Sequence, residues 1–157
     1  VKRPTGKGAA IGGVAGAATI AAIVAFIGPW EGRRYTAYQD IVGVWTICEG
    51  HTKGVKAGDV ATDAQCDEMA AQDVAEHNAG IRACITRPMP QNVEIAFTSL
   101  AFNAGVGAFC GSTALRRYNA GDDTGACDAL NMWVRAGGKV VKGLVNRRAA
   151  ESALCKG

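Results

Sequence analysis

No two of the six cysteines, Cys48, Cys66, Cys84, Cys110, Cys127 and Cys155, stand close enough to form a CxxC pair, which removes zinc-ribbon and dithiol redox chemistry. Histidine is scarce as well: His51 and His77 alone supply imidazole, too few donors beside those cysteines for a metal site. No P-loop or GxSxG string occurs, and Gly105 and Gly107 lack the third glycine of a dinucleotide fingerprint because Cys110 fills its place. Acids are missing from the first seven positions. Lys plus Arg number 17 against 14 acids, and Lys2, Arg3 and Lys7 supply the whole excess, so residues 8–157 carry no formal net charge. The lack of a basic excess in the body argues against a dedicated nucleic-acid binder. A hydrophobic share of 48% with 20% charged residues fits neither a disordered chain nor a polytopic membrane protein. The 157 residues suit one domain with an appended segment, not two full domains.

Charge is also absent from residues 8–30, a run of 23 positions that at about 1.5 Å per residue could cross a hydrocarbon layer of about 30 Å as a helix. Five glycines and eight alanines dilute it. Each interior glycine costs a helix about 1 kcal/mol against alanine. The composition therefore predicts a weakly hydrophobic N-terminal helix that enters a bilayer but holds it poorly. The Lys2, Arg3, Lys7 cluster ahead of it predicts a cytoplasmic N-terminus and places residues 31–157 on the far side. Two other readings compete: a cleaved signal peptide, for which Ala15, Gly16 and Ala17 offer a weak cleavage site, and a buried core helix, for which so much glycine and alanine packs poorly.

An even cysteine count behind an export-type segment reads as disulfides formed in an oxidising compartment such as a periplasm. Sequence leaves fifteen pairings open. Nearest-neighbour pairing, Cys48 with Cys66, Cys84 with Cys110 and Cys127 with Cys155, is the simplest, each loop being worth about 3 kcal/mol. No cysteine lies in residues 1–30, so thiol exchange with that segment is ruled out.

Along the body, β-formers in 35–52 around Gly43 predict a short hairpin. Thr62 and Gln65 form a capping box that opens a helix through about Gly80. After Pro88 and Pro90 the next helix carries Val93, Ala96, Phe97, Leu100 and Ala101 on one apolar face. Gly105, Gly107 and Gly111 read as a loop, and further helices are expected at about 112–119, 123–135 (closed by Gly137 and Gly138) and 142–154. The fold class is thus α+β, mainly helical, with one small β element near the start.

Paired carboxylates are the economical chemistry that remains, and 14 acids give too many pairs for composition to choose among. One stretch does choose. In WEGRRYTAYQDIVGVWTICEGHT, Glu31 is followed by an Asp nine residues on, a Thr six beyond that and a Gly-His after five more. These residues and intervals resemble the active-site region of the phage lysozymes of glycoside hydrolase family 24. AFNAGVGAFCGSTALRRYNAGD and WVRAGGKVVKGLVNRRAAESALC resemble that family's later segments, so the likeness spans roughly residues 30–155.

The resemblance implies a lysozyme-like domain over residues 30–157 that hydrolyses the β-1,4 bond between N-acetylmuramic acid and N-acetylglucosamine in peptidoglycan, with no cofactor. It implies Glu31 as general acid, Asp40 as the opposing carboxylate, and Thr46 holding the water of an inverting route, with His51 bracing the site from behind. The cysteine positions resemble a lambdoid-phage branch. Some members of the family carry a signal-arrest-release segment, and residues 1–29 resemble it: a weak anchor that tethers the enzyme, inactive, in the host inner membrane until it escapes to the periplasm. A monomer is expected. The alternative is a non-catalytic, disulfide-stapled wall-binding protein. The cations Arg135, Lys139, Lys142, Arg147 and Arg148 read as a solvated helix face, with attraction to an anionic wall polymer as the functional alternative.

Overall fold

A computed structural model describes residues 8–157; the expected cationic cluster of Lys2, Arg3 and Lys7 lies outside them. In chain order the elements are α1 (Ala17–Glu31), β1 (Arg34–Gln39), β2 (Trp45–Cys48), α2 (Asp63–Arg82), α3 (Gln91–Ala104), α4 (Val106–Cys110), α5 (Thr113–Asn119), α6 (Asp123–Ala129), a 3-10 turn (Leu130–Met132), β3 (Arg135–Ala136), β4 (Lys139–Val140) and α7 (Lys142–Lys156). The described residues form two compact units, one of residues 16–76 and one of residues 8–15 with 77–157. α2 contributes its first part to the former and its last turns to the latter. Each of the three disulfides, Cys48–Cys66, Cys84–Cys110 and Cys127–Cys155, closes within a single unit, and the pairs are nearest neighbours in sequence.

The hairpin unit holds α1, an antiparallel β1–β2 pair and the start of α2. Ile47, Cys48, Ala61 and Cys66 make its small core. Both arms of the capping box are formed: Gln65 N–H donates to Thr62 Oγ1 at 3.2 Å, and Thr62 N–H to Gln65 Oε1 at 2.9 Å.

The helical unit is built around α3. The residues expected on its apolar face, Val93, Ala96, Phe97, Leu100 and Ala101, all enter the core, and burial runs without a break from Val93 to Ala101, so that Glu94, Ile95, Thr98 and Ser99 are enclosed as well. Phe97 packs on Phe109 and, edge-on, on Tyr118. The polar residues that α3 carries into this interior are all partnered. Glu94 accepts from Asn78 and Arg82, and Ser99 Oγ donates to Glu151 Oε1 at 2.6 Å.

Glu151 also corrects the solvated basic face. Arg147 and Arg148 are 3% and 1% exposed, and both donate to Glu151 in the interior, so only Arg135, Lys139 and Lys142 face water. An unpaired guanidinium could not be buried so deeply. Two further expectations shift. The Gly105–Gly111 stretch contains the short helix α4, because Phe109 is fully buried and Cys110 is bonded to Cys84, and tertiary burial outweighs weak local propensity. The helix expected to run to 135 stops at Ala129, since Gly137 and Gly138, at φ +57° and +77°, form the turn of the β3–β4 hairpin and not a helix stop.

The N-terminal run is not one helix. Residues 8–16 are non-helical and α1 begins only at Ala17. Gly12 and Gly13 sit at φ +63° and +67°, values a right-handed helix cannot use. Their neighbours take other partners. Ile11 N–H donates to the Ile85 carbonyl and Gly12 N–H to that of Arg82, whose Nε returns a bond to the Gly12 carbonyl. Ala15 N–H donates at 2.8 Å to Oδ1 of Asn78, a fully buried amide whose NH2 serves Glu94 and Thr98. Among the described residues no helix is long and apolar enough to cross a membrane.

Candidate active site

Glu31 is the last residue of α1 and is half-buried. Gly32, at φ +68°, leaves the helical region and ends the helix there, its N–H reaching back to the Gly28 carbonyl. Pro29 lies inside the last turn and does not stop the helix. Arg33 then anchors the chain: its Nε donates to Glu49, Nη1 to Asp63 Oδ1 at 3.0 Å and Nη2 to Asp67 Oδ1 at 2.7 Å. Asp67 and Glu49 hold the Arg33 guanidinium further above its usual range. Tyr35 OH also donates to Asp63, and that bond together with Arg33 holds the Asp63 carboxyl below the usual carboxylate range.

β1 carries the chain from this anchor to Asp40, which opens the turn between the strands. The Asp40 N–H donates to the Val44 carbonyl at 2.9 Å, and Oδ1 accepts the N–H groups of Val42 and Val44 at 2.9 and 2.8 Å. Gly43, at φ +82°, lets the turn close. One carboxylate oxygen is thus fixed by two amides, while Oδ2 has no protein hydrogen bond among the described residues. Pairing of Tyr38 with Thr46, continued one step by the Asp40–Val44 bond, places Asp40 and Thr46 on the same side of the hairpin as diagonal neighbours. Thr46 is buried, and its hydroxyl donates to the Val44 carbonyl at 3.0 Å, which leaves its lone pairs to accept a proton from elsewhere.

His51 lies in the same unit but does another job. Cys48, the one non-glycine residue at positive φ among those described, and Gly50, at φ +98°, fold the chain tightly so that Ile47 and His51 pair through both backbone bonds. The buried His51 ring then bridges Asp73 on α2, at 2.8 Å from Nδ1, and the Lys53 carbonyl, at 3.1 Å from Nε2. Cys48–Cys66 ties the same corner to the first turns of α2. Cys48, Glu49 and Cys66 are the one group of potential metal donors among the described residues, and two of the three are sulfurs of a disulfide, which offer no thiolate.

The phage lysozyme family matches residues 28–151, a stretch that contains Glu31, Asp40, Thr46 and His51. The chain belongs to that family. It is 44% identical over 153 residues to a protein of Enterobacteria phage P21 named SAR-endolysin, covering 94% of this chain and 91% of the relative. Among solved structures, a point mutant of P22 lysozyme superposes with a TM-score of 0.79 at 35% identity, over 87% of this chain and 96% of that one. The P1 phage endolysin is similar in two forms: its active form with a TM-score of 0.76 at 27% identity, over 92% and 95% of the chains, and its secreted inactive form with 0.56 at 25% identity, over 85% and 92%.

The family-like spacing points to Glu31, Asp40, Thr46 and His51 but not to what holds the chain around them. Arg33 stands inside the motif, yet nothing in its spelling says that its partners lie 16, 30 and 34 residues away. Nor does any local motif announce that Asp73, on α2, meets His51 across 22 residues. Replacing Arg33 by Met should leave Glu49, 9% exposed, without its cation. Unfolding in urea is then expected to show a loss of about 2 kcal/mol, less than for a fully buried pair because Arg33 is partly solvated. Because the Asp63 carboxyl is held below its ordinary value, its contribution is present at neutral pH and is lost as pH falls below about 4; Asp63→Asn should flatten the acid limb of a stability–pH curve.

Proposed function

We propose that this chain is a muramidase endolysin acting on peptidoglycan, with Glu31, Asp40 and Thr46 as its working residues and residues 1–29 as a releasable membrane anchor. The observation that carries the chemistry is the hold on Asp40: one oxygen is fixed by two backbone amides and the other is offered on the side of the hairpin that also bears Thr46.

Glu31 protonates the glycosidic oxygen as the bond to the muramic acid anomeric carbon breaks. A water held between Asp40 Oδ2 and Thr46 Oγ1 donates one proton to each, which leaves an oxygen lone pair free to attack that carbon. Asp40 takes the water's proton as the new bond forms, and its charge stabilises the oxocarbenium-like state before that. His51, through Asp73 and the Lys53 carbonyl, steadies the strand end that carries Thr46.

The relative named SAR-endolysin supports the anchor. In this reading residues 8–30 cross the inner membrane as a helix, with the N-terminus cytoplasmic and the body periplasmic, because a bilayer forces backbone groups to pair within the segment. On release residues 8–16 leave the helix and take the partners seen here, Ile85, Arg82 and Asn78. Greater likeness to the active form of the P1 endolysin than to its secreted inactive form supports assigning this conformation to the released, active monomer.

Purified protein should release reducing ends from Gram-negative sacculi while clearing them. Binding to sacculi without release of reducing ends would establish the non-catalytic wall binder instead. Gly12→Leu with Gly16→Leu strengthens the apolar run and also disfavours the left-handed backbone at position 12. After depolarisation of cells, fractionation should find this variant retained in the membrane and lysis delayed; release at the wild-type rate would refute the anchor.

A further inference from the structure

The tip of the β1–β2 hairpin is apolar and uncovered. Ile41 is fully exposed, Val42 is 77% and Val44 43% exposed. The turn does not need them. It is closed by the Asp40 carboxylate and by Gly43, and β-branched residues are a poor choice for a turn whose side chains meet only water. Polar residues at 41 and 42 would satisfy the same backbone bonds and avoid the exposed apolar surface.

Their position says what they meet. The amide of Val42 is bonded to the Asp40 carboxylate, so a glycan strand engaged by Asp40 passes beside the tip. Sugar faces are gripped by flat aromatic rings, and residues 41–44 have none. Short branched aliphatic side chains suit methyl groups instead. On a peptidoglycan strand those belong to the lactyl ether of the muramic acid and to the alanines of its peptide stem. We propose that Ile41 and Val42 form an apolar contact for this lactyl–alanyl arm, so that the hairpin selects stem-bearing glycan over bare glycan. The proposal rests on the muramidase reading.

The test compares kcat/KM on soluble glycan strands with intact stems and on the same strands stripped by an amidase. For Ile41→Ser with Val42→Ser, the preference for stem-bearing strands should fall about tenfold, through KM and not kcat. Ile41→Val with Val42→Ile keeps the surface apolar and should keep the preference. An undiminished preference in the serine variant, or an equal fall on both substrates, overturns the contact. So does an unchanged preference combined with lost binding to vesicles of phosphatidylethanolamine and phosphatidylglycerol, which would assign the tip to lipid. Wild-type protein that cleaves neither substrate refutes the muramidase reading itself; an active wild type with an insensitive tip refutes only the contact.

Discussion

One guanidinium organises the hairpin unit. Arg33 follows the end of α1 by two residues and binds a carboxylate just past β2 and two more in the first turns of α2, so the helix that carries Glu31 and the strand that leads to Asp40 share a single anchor. Its multiple charge-assisted bonds form in a region whose apolar core is small. A unit of this size has little hydrophobic burial to spend on rigidity, and the Cys48–Cys66 bond adds the covalent part of the same restraint. The proposed chemistry needs that rigidity, because proton transfer requires the donor to stay within hydrogen-bond reach of its target.

Asp40 combines two roles that are often separate. As a turn residue it accepts the amides of Val42 and Val44; as the proposed carboxylate of the site it presents its second oxygen. The same bonds that shape the hairpin therefore fix the direction of the Asp40 carboxylate. The exposed aliphatic tip is carried on those bonds as well.

Local signals in the sequence were reliable where they are satisfied locally. The capping box at Thr62 and Gln65 and the Gly43 turn depend on residues within a few positions of one another. The candidate site rests on the fixed spacing of Glu31, Asp40, Thr46 and His51, which resembles a family, not on any physical pattern that composition could reveal. What escaped reading depends on distant partners. Burial of Arg147 and Arg148 requires Glu151 and Ser99 to meet inside the helical unit, and the Gly137–Gly138 pair serves a helix stop and a hairpin turn equally well until the strands pair. Residues 8–15 show the same limit: the glycines that would weaken a helix through this apolar run are the ones that allow positive φ where the segment bonds to the end of α2.

The central claim is that Glu31 delivers the proton that breaks the glycosidic bond. Its most direct test is reducing-end release from sacculi by Glu31→Gln, which keeps the side-chain shape and removes the acid. With a melting temperature equal to wild type, the rate should fall by about a hundredfold or more. Hydrolysis at the wild-type rate by that variant would contradict the account.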